Sequence, residues 1–403
     1  MSPIANTHPS GSPNLPLWTD PDRQALFETW IASVQDAHHL DPSSVRLASA
    51  DASFRRYLRI DTASPGPARS LIIMDAPPDL ENCEPFVQVA DHMAQAGLRV
   101  PEVLAWDQAH GFMLLTDLGT HTLKQVIDPH AAPPLSLYLD AVETLIHWQL
   151  ASREGVLPVY DAPLLLREME LFPQWYIAAH RQVTLDAAQR KTLDDAFAKI
   201  VANNLAWPSV YVHRDFMPRN LMVPNVAPTL SAACGSLPRE EAHLAKPQVH
   251  ALGRPGGETP ASTPSATRLG ILDFQDAVYG PITYDSASLM RDAFLSWDED
   301  FCLDVTIRYW EKARKAGLSV GNDFGEFYKG VEWMGLQRHL KVAGIFARLS
   351  LRDGKPQYLA DTPRFIEYMR ATCGRYMELK PLLRLIERVE GIPVPTAYSF
   401  GRA

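Results

Sequence analysis

Val212-His213-Arg214-Asp215-Phe216-Met217-Pro218-Arg219-Asn220 is the stretch on which the reading of this chain turns. A short apolar run, Val210 to Val212, leads into it, so Asp215 stands just past a strand end and Asn220 five residues later. A second apolar run, Leu269-Gly270-Ile271-Leu272, ends in Asp273-Phe274-Gln275-Asp276. Between the two runs lie 45 residues, Pro224 to Arg268, with seven prolines and no Phe, Trp or Tyr. Such a segment has too little apolar surface to offset its ordering entropy, and it reads as a disordered, exposed insertion. Without it, Asp273 follows Asp215 by about 13 residues. Two strand ends then present Asp, Asn and Asp together.

Those groups suit phosphoryl transfer. One carboxylate, Asp215, orients the attacking hydroxyl and accepts its proton, while Asn220 and Asp273 hold magnesium against nucleotide phosphates. Positioning and cations do most of the work, because the transition state spreads charge over phosphoryl oxygens. His213 and Asp285 are read as structural support for the loop.

The rest of the chain frames this segment. Of 403 residues, 46% are hydrophobic and 21% charged, enough for two lobes with real cores. The net charge of -9 leaves no electrostatic footprint for nucleic acid or an anionic membrane surface. Cys83, Cys234, Cys302 and Cys373 are far apart and fit a reducing compartment better than zinc or a disulfide framework. Met1 to Pro16 is rich in Pro, Ser and Asn and reads as a disordered tail, not a signal peptide; with no long apolar run, a cytoplasmic location is expected.

The stretch 17–118 reads as a nucleotide-binding lobe. A helix carries Leu26, Phe27, Trp30, Ile31 and Val34. Strands are expected at Phe54 to Ile60, Leu71 to Met74, Val103 to Trp106 and Phe112 to Thr116, with a helix from Pro85 to Ala96. The stretch 119–403 is mainly helical and reads as the catalytic and substrate lobe, 224–268 being the insertion. Spacings such as Tyr138, Val142, Leu145, Ile146 and Leu193, Phe197, Ile200, Val201 set two of its helices. The expected fold class is α+β, a small antiparallel sheet with one main helix and then a larger helical lobe; the resemblance of His213, Arg214, Asp215 and Asn220 to the protein-kinase catalytic loop implies a two-lobed, protein-kinase-like fold.

His213, Arg214, Asp215 and Asn220 match the catalytic-loop signature of protein kinases, and Asp273-Phe274-Gln275 stands where those enzymes carry Asp-Phe-Gly. The Gln275-Asp276 continuation and Tyr284-Asp285-Ser286 resemble the aminoglycoside phosphotransferase superfamily more closely. Ala52-Ser53-Phe54-Arg55-Arg56-Tyr57, Met74-Asp75-Ala76-Pro77-Pro78, Gly111 to Gly119, Glu168-Met169-Glu170-Leu171-Phe172 and Gln337-Arg338-His339-Leu340-Lys341 are similar to the bacterial N-acetylmuramate/N-acetylglucosamine anomeric kinases. That resemblance implies ATP, Mg2+, an amino sugar as the small-molecule partner, and a sugar 1-phosphate product for cell-wall recycling.

Two kinase parts are altered. The loop Ala48 to Ser53 has no glycine, and Leu71 to Met74 has no lysine. Ser53, Phe54, Arg55, Arg59, Thr116 and Leu118 are the nucleotide-binding candidates, with the backbone of Thr116 to Gly119 serving as the interlobe hinge. Arg55, Arg56 and Arg59 compete to replace the lysine, and Glu84 opens the helix where a partner would stand. For the sugar, the candidates are Glu170, Trp175, Arg338 and Lys341, a basic residue of the last pair meeting the lactyl carboxylate of N-acetylmuramate. A kinase for another small alcohol (an aminoglycoside, choline or homoserine) and a non-catalytic nucleotide-binding pseudokinase remain alternatives at this level. Oligomeric state is not encoded in any of these features.

Overall fold

The computed structural model describes residues 18, 20–50, 54–64, 69–224 and 269–393. The tail 1–16, Ser53, and all of the expected insertion except Pro224 lie outside the described residues.

Chain order opens with α1 (Pro21–His38), β1 (Leu40–Ala50), β2 (Arg56–Thr62), β3 (Ser70–Asp75), α2 (Glu84–Gln95), β4 (Val103–Asp107) and β5 (Phe112–Thr116). The five strands form one antiparallel sheet in the order β1-β2-β3-β5-β4. Strand side chains alternate faces, and both faces are covered. Leu58, Ile60, Leu71, Ile73, Phe112 and Leu114 pack with Phe27, Trp30 and Ile31 of α1. Met74, Met113 and Leu115 turn the other way, toward α2 and the larger core. Trp30 stacks on Phe112 with centroids 5.4 Å apart, and Arg23 reaches across to Asp75 (2.6 Å). The helix expected around Leu26 to Val34 is thus a cover for the outer sheet face.

Strand β1 was not expected from the sequence. Pro42 and three serines break its pattern, and an edge strand tolerates this because only one side must pair. Its register with β2 shifts between Asp41 and Arg46. At the β4–β5 turn, Gly111 has φ +72° and a side chain there would fall 1.9 Å from the Ala76 carbonyl oxygen, so only glycine fits.

The remainder is helical: α3 (Leu123–Val126), α4 (Leu135–Leu150), α5 (Ala162–Met169), α6 (Ala187–Leu205), α7 (Thr283–Met290), α8 (Glu299–Lys315), α9 (Phe324–Leu351), α10 (Thr362–Arg375) and α11 (Lys380–Val389), with a π-helical stretch at Phe172–His180. Helix α9 runs through the middle and is buried without a break from Gly330 to Lys341, as expected of a helix surrounded on all sides. Among the described residues no helix is long and apolar enough to cross a membrane.

Two small antiparallel ribbons interrupt the helices. Strand β6 (Ser209–Val212) pairs with β9 (Val278–Pro281), and β7 (Leu221–Met222) pairs with β8 (Gly270–Ile271). Leu221 faces Ile271 and Met222 faces Gly270, so the chain leaves for the long insertion and returns from it on neighbouring strands. An insertion rooted this way leaves the surrounding packing intact.

Candidate active site

The two ribbons hold two loops face to face. One, 213–220, runs from β6 to β7; the other, 272–277, runs from β8 to β9. Asn220 Nδ2 donates to the backbone carbonyl of Asp215 (2.9 Å) and to Asp273 Oδ2 (3.2 Å). Leu272 N–H donates to the Asn220 carbonyl (2.9 Å), and Gln275 Nε2 donates to Asp273 Oδ1 (3.0 Å). The structure therefore brings Asp215, Asn220 and Asp273 together across the insertion. Arg214 at φ +76° and Asp273 at φ +64° are both in the left-handed region. Non-glycine residues reach it at a cost that the surroundings must offset.

His213 and Asp285 supply part of that support. The Asp285 carboxylate accepts from the backbone N–H of His213 (2.7 Å) and of Arg214 (3.1 Å). His213 is fully buried. Its Nδ1 accepts from Asp215 N–H (3.2 Å), so Nε2 carries the proton and donates to the Leu272 carbonyl (3.0 Å). Burial pushes this imidazole down to about 4, which keeps it in the neutral form that the arrangement requires. Burial pushes the Asp285 carboxyl up to about 7, against the two N–H donors that favour its charge.

The Asp215 side chain is 40% exposed, open to an incoming hydroxyl. Desolvation raises its carboxyl, but Lys341, Arg338 and Arg214 together hold it below the ordinary carboxylate range. Arg338 supplies two contacts: Nη1 donates to the Arg214 carbonyl, and Nη2 lies 3.8 Å from Asp215 Oδ1. Glu168, on α5, is the hub beneath. Its carboxylate pairs with Arg214 and with Lys341 Nζ (2.9 Å), and accepts from Tyr160 Oη and Gln337 Nε2 (3.1 Å). Burial alone would raise that carboxyl; Lys341 and Arg214 overcome it and hold it at about 2.

A cleft of about 250 Å³ opens beside these loops, under the sheet. Tyr57, Arg59, Ile72, Leu115 and Thr116 come from the sheet, Asp117, Leu118 and Gly119 from the connection after β5, Met222 from β7, and Asn220, Leu272 and Asp273 from the two loops. Leu118 accepts from Arg99 Nη2 at its carbonyl (2.6 Å), and no described group accepts from its N–H. Apolar walls with an unused backbone donor suit a flat heterocycle. Arg59 reaches the cleft, but its guanidinium is tied to Asp117 (2.7 and 3.1 Å) and to the Gly119 carbonyl (2.8 Å). Phe274 stacks on Phe86 of α2 with centroids 4.9 Å apart, which couples the Asp273 loop to the sheet side.

Several sequence candidates stand elsewhere. Arg55 is buried and pairs with Glu81 (3.1 Å), before α2; exposed Glu84 meets only Gln108 at 3.5 Å among described side chains. Arg56 pairs with Asp75 on the α1 side of the sheet, and Phe54 is exposed. Glu170 points away from the loops to Arg190 on α6. Trp175 packs on the main core from the π-helical stretch. Arg338 and Lys341 do approach Asp215, but as buried partners of the loop and of Glu168. Glu168 stands in the sequence only as part of the Glu168 to Phe172 motif, with no role of its own, although Leu165, Glu168, Met169 and Phe172 follow one helical stripe and are all buried. A lone carboxylate on an apolar stripe was the available signal.

A model of a phosphotransferase enzyme family matches residues 44–230. The N-acetylmuramate/N-acetylglucosamine kinase of Neisseria meningitidis serogroup B is 42% identical over 381 residues, 94% of this chain and 99% of that one. The kinase of the same name from Pseudomonas aeruginosa is 42% identical over 377 residues, covering 92% and 95%. In fold, the chain is similar to an ethanolamine kinase of Plasmodium vivax (TM-score 0.54, 8% identity, 89% of this chain and 91% of that one). It is also similar to a choline kinase of Cryptosporidium parvum (TM-score 0.52, 9% identity, 89% and 99%). These two show the kinase-like fold alone, whereas identity near 40% over almost the whole length shows more: the chain belongs to the family of N-acetylmuramate/N-acetylglucosamine kinases.

Proposed function

We propose that this chain transfers the γ-phosphoryl group of ATP to the anomeric hydroxyl of N-acetylmuramate and of N-acetylglucosamine, releasing the sugar 1-phosphates, in the cytoplasm. The observation that carries this reading is the convergence of Asp215, Asn220 and Asp273 on two facing loops, with Asn220 and Asp273 lining the cleft. In this reading residues 17–118 form the nucleotide lobe and 119–403 the catalytic and substrate lobe.

Asp215 accepts a hydrogen bond from the sugar hydroxyl and takes its proton as the new P–O bond forms. Its low carboxyl keeps it ionised for that task. The purine lies between Ile72, Leu115, Met222 and Leu272, with the Leu118 N–H as donor to a ring nitrogen. Asn220 and Asp273 would hold magnesium. Two oxygen ligands at a cleft edge fit an ion that keeps waters and phosphate oxygens in the rest of its shell. When bound, the ion supplies charge neutralisation for the transferring group. Arg59 braces the hinge through Asp117, and Arg55 with Glu81 stands in for the ion pair that a strand lysine makes in protein kinases.

The test is a phosphorylation assay with N-acetylmuramate, N-acetylglucosamine and kanamycin side by side, using ATP and Mg2+. A phosphorus NMR signal coupled to the anomeric proton of either amino sugar is the expected result. Phosphorylation of kanamycin alone would overturn the reading in favour of another small-alcohol kinase. Tight nucleotide binding without turnover would favour a pseudokinase.

A further inference from the structure

One cluster of charge beside the loops takes no part in that chemistry. Lys124 on α3 lies 4.3 Å from the centroid of the Phe294 ring, and the Arg219 guanidinium lies 5.0 Å from the same centroid. Arg219 precedes Asn220 and lines the same cleft as Asn220 and Asp273. The two cations therefore flank one half-buried ring at the edge of the reacting centre.

Beneath them is Asp292, 2% exposed, with Oδ1 accepting from Phe294 N–H (3.2 Å) and Oδ2 buried without a partner. No ion pair within 4 Å ends on Lys124 among the described residues. Arg364, from α10, donates to the Ala293 carbonyl (3.1 Å) and adds a further positive charge. Desolvation, then the nearby Arg219 and Arg364, lower the Lys124 ammonium against the pull of Asp292 and Asp361. Asp292 exerts the largest of the charge effects on Lys124, but no ion pair within 4 Å occupies its ammonium among the described residues, which leaves it able to meet a ligand anion. A buried carboxyl oxygen without a donor calls for a hydroxyl or amide N–H from a ligand.

We propose that Lys124 and Arg219 form the subsite for the carboxylate of an acidic amino sugar, over the Phe294 ring, and that Lys124 sets the preference for N-acetylmuramate over N-acetylglucosamine. The inference rests on the proposed function and names the part of the site that reads the lactyl group. It moves the carboxylate contact away from Arg338 and Lys341, whose charges are engaged internally by the Arg214 carbonyl, Asp215 and Glu168.

The test is the ratio of kcat/KM for N-acetylmuramate to that for N-acetylglucosamine in the wild-type enzyme, Lys124→Met and Lys124→Arg. A charge-assisted contact implies a fall of about tenfold to a hundredfold in that ratio for Lys124→Met, with most of it recovered in Lys124→Arg. The methyl ester of N-acetylmuramate gives the same information without a variant. The wild-type enzyme should lose a similar factor on the ester, and Lys124→Met should barely distinguish acid from ester. An unchanged ratio in Lys124→Met, or a wild-type enzyme indifferent to esterification, overturns the subsite while leaving the kinase reading intact. If the wild-type enzyme phosphorylates neither sugar, the function itself fails first.

Discussion

Replacing Glu168 by Gln tests whether the buried network under Asp215 is a structural necessity. The side chain is only 7% exposed and faces two cations, Arg214 and Lys341. A carboxyl held at about 2 instead of its ordinary 4.5 has its ionised form favoured by about 3 kcal/mol on folding. Glutamine preserves the shape and can still accept from Tyr160 or Gln337, but it removes the carboxylate charge that pairs directly with both cations. Breaking a buried pair from one side costs about 3–5 kcal/mol, so the two routes agree on a loss of about 3 kcal/mol at pH 7. The sign follows from linkage. The group's folded value is depressed, so its contribution is complete well above 4.5 and is lost as pH falls through 4.5 toward 2. Urea unfolding followed by tryptophan fluorescence at pH 7 measures the loss. A cycle with Lys341→Met, in which the double variant loses less than the sum of the singles, assigns the loss to charge. A loss for Glu168→Gln below about 1 kcal/mol, or full additivity with Lys341→Met, refutes the reasoning, because neither is compatible with a carboxylate compensating two buried cations.

Other consequences are open to direct measurement. Asp215→Asn should lower kcat by about 10²–10⁴-fold with little change in nucleotide affinity, as expected for loss of a general base; turnover near the wild-type level would remove Asp215 from that role. Gly344→Ala should destabilise by about 1–3 kcal/mol or more, because the added methyl would fall 2.4 Å from the Leu171 carbonyl carbon and oxygen, and the clash is with backbone; an unchanged urea midpoint would show that α9 can retreat. His213→Gln separates the imidazole's pH response from the rest. In the folded wild type the ring stays neutral down to about 4, while the unfolded chain takes up a proton near 6.5. The stability of the wild type relative to the variant should therefore fall as pH drops from 6.5 to 4, by about 3 kcal/mol. A constant difference across that window would mean the ring charges without cost in the folded state.

Legibility in the sequence varied with the kind of signal. The two loops could be joined across 45 intervening residues because Asp215, Asn220 and Asp273, proposed as base and metal ligands, are residue types of fixed chemistry at short local spacing. The roots of the insertion pair as β7 and β8, so the separation in sequence is not a separation in space. The helix expected from Pro85 to Ala96 appears one residue earlier, at Glu84–Gln95, because its apolar stripe is strong. Strand β1 escaped notice because an exposed edge strand need not alternate. Among the arginines, one residue of register decided everything: Arg56 faces Asp75 on the α1 side, whereas Arg59 faces the cleft and Asp117. The candidate carboxylate at Glu170 failed for the helical version of the same reason. Two positions along a helix turn a side chain to nearly the opposite side, and it is Glu168 that shares a stripe with Leu165 and Phe172.

The same geometry explains why two separated motifs, Glu168 to Phe172 and Gln337 to Lys341, belong to one device. Arg214, the residue before Asp215, holds φ +76°, a conformation that a non-glycine residue does not adopt without support from its surroundings. Asp285 fixes the two backbone N–H groups before the turn, Arg338 takes the carbonyl after it, and Glu168 holds the Arg214 side chain. Glu168 is in turn held by Lys341 and Gln337 from α9, the helix that is buried without a break from Gly330 to Lys341. The strain at the turn is therefore offset by contacts from α5, α7 and α9 together. It follows that variants on the inner face of α9 should depress kcat at distances where no substrate is touched, and that their effect on stability and on turnover should rise together.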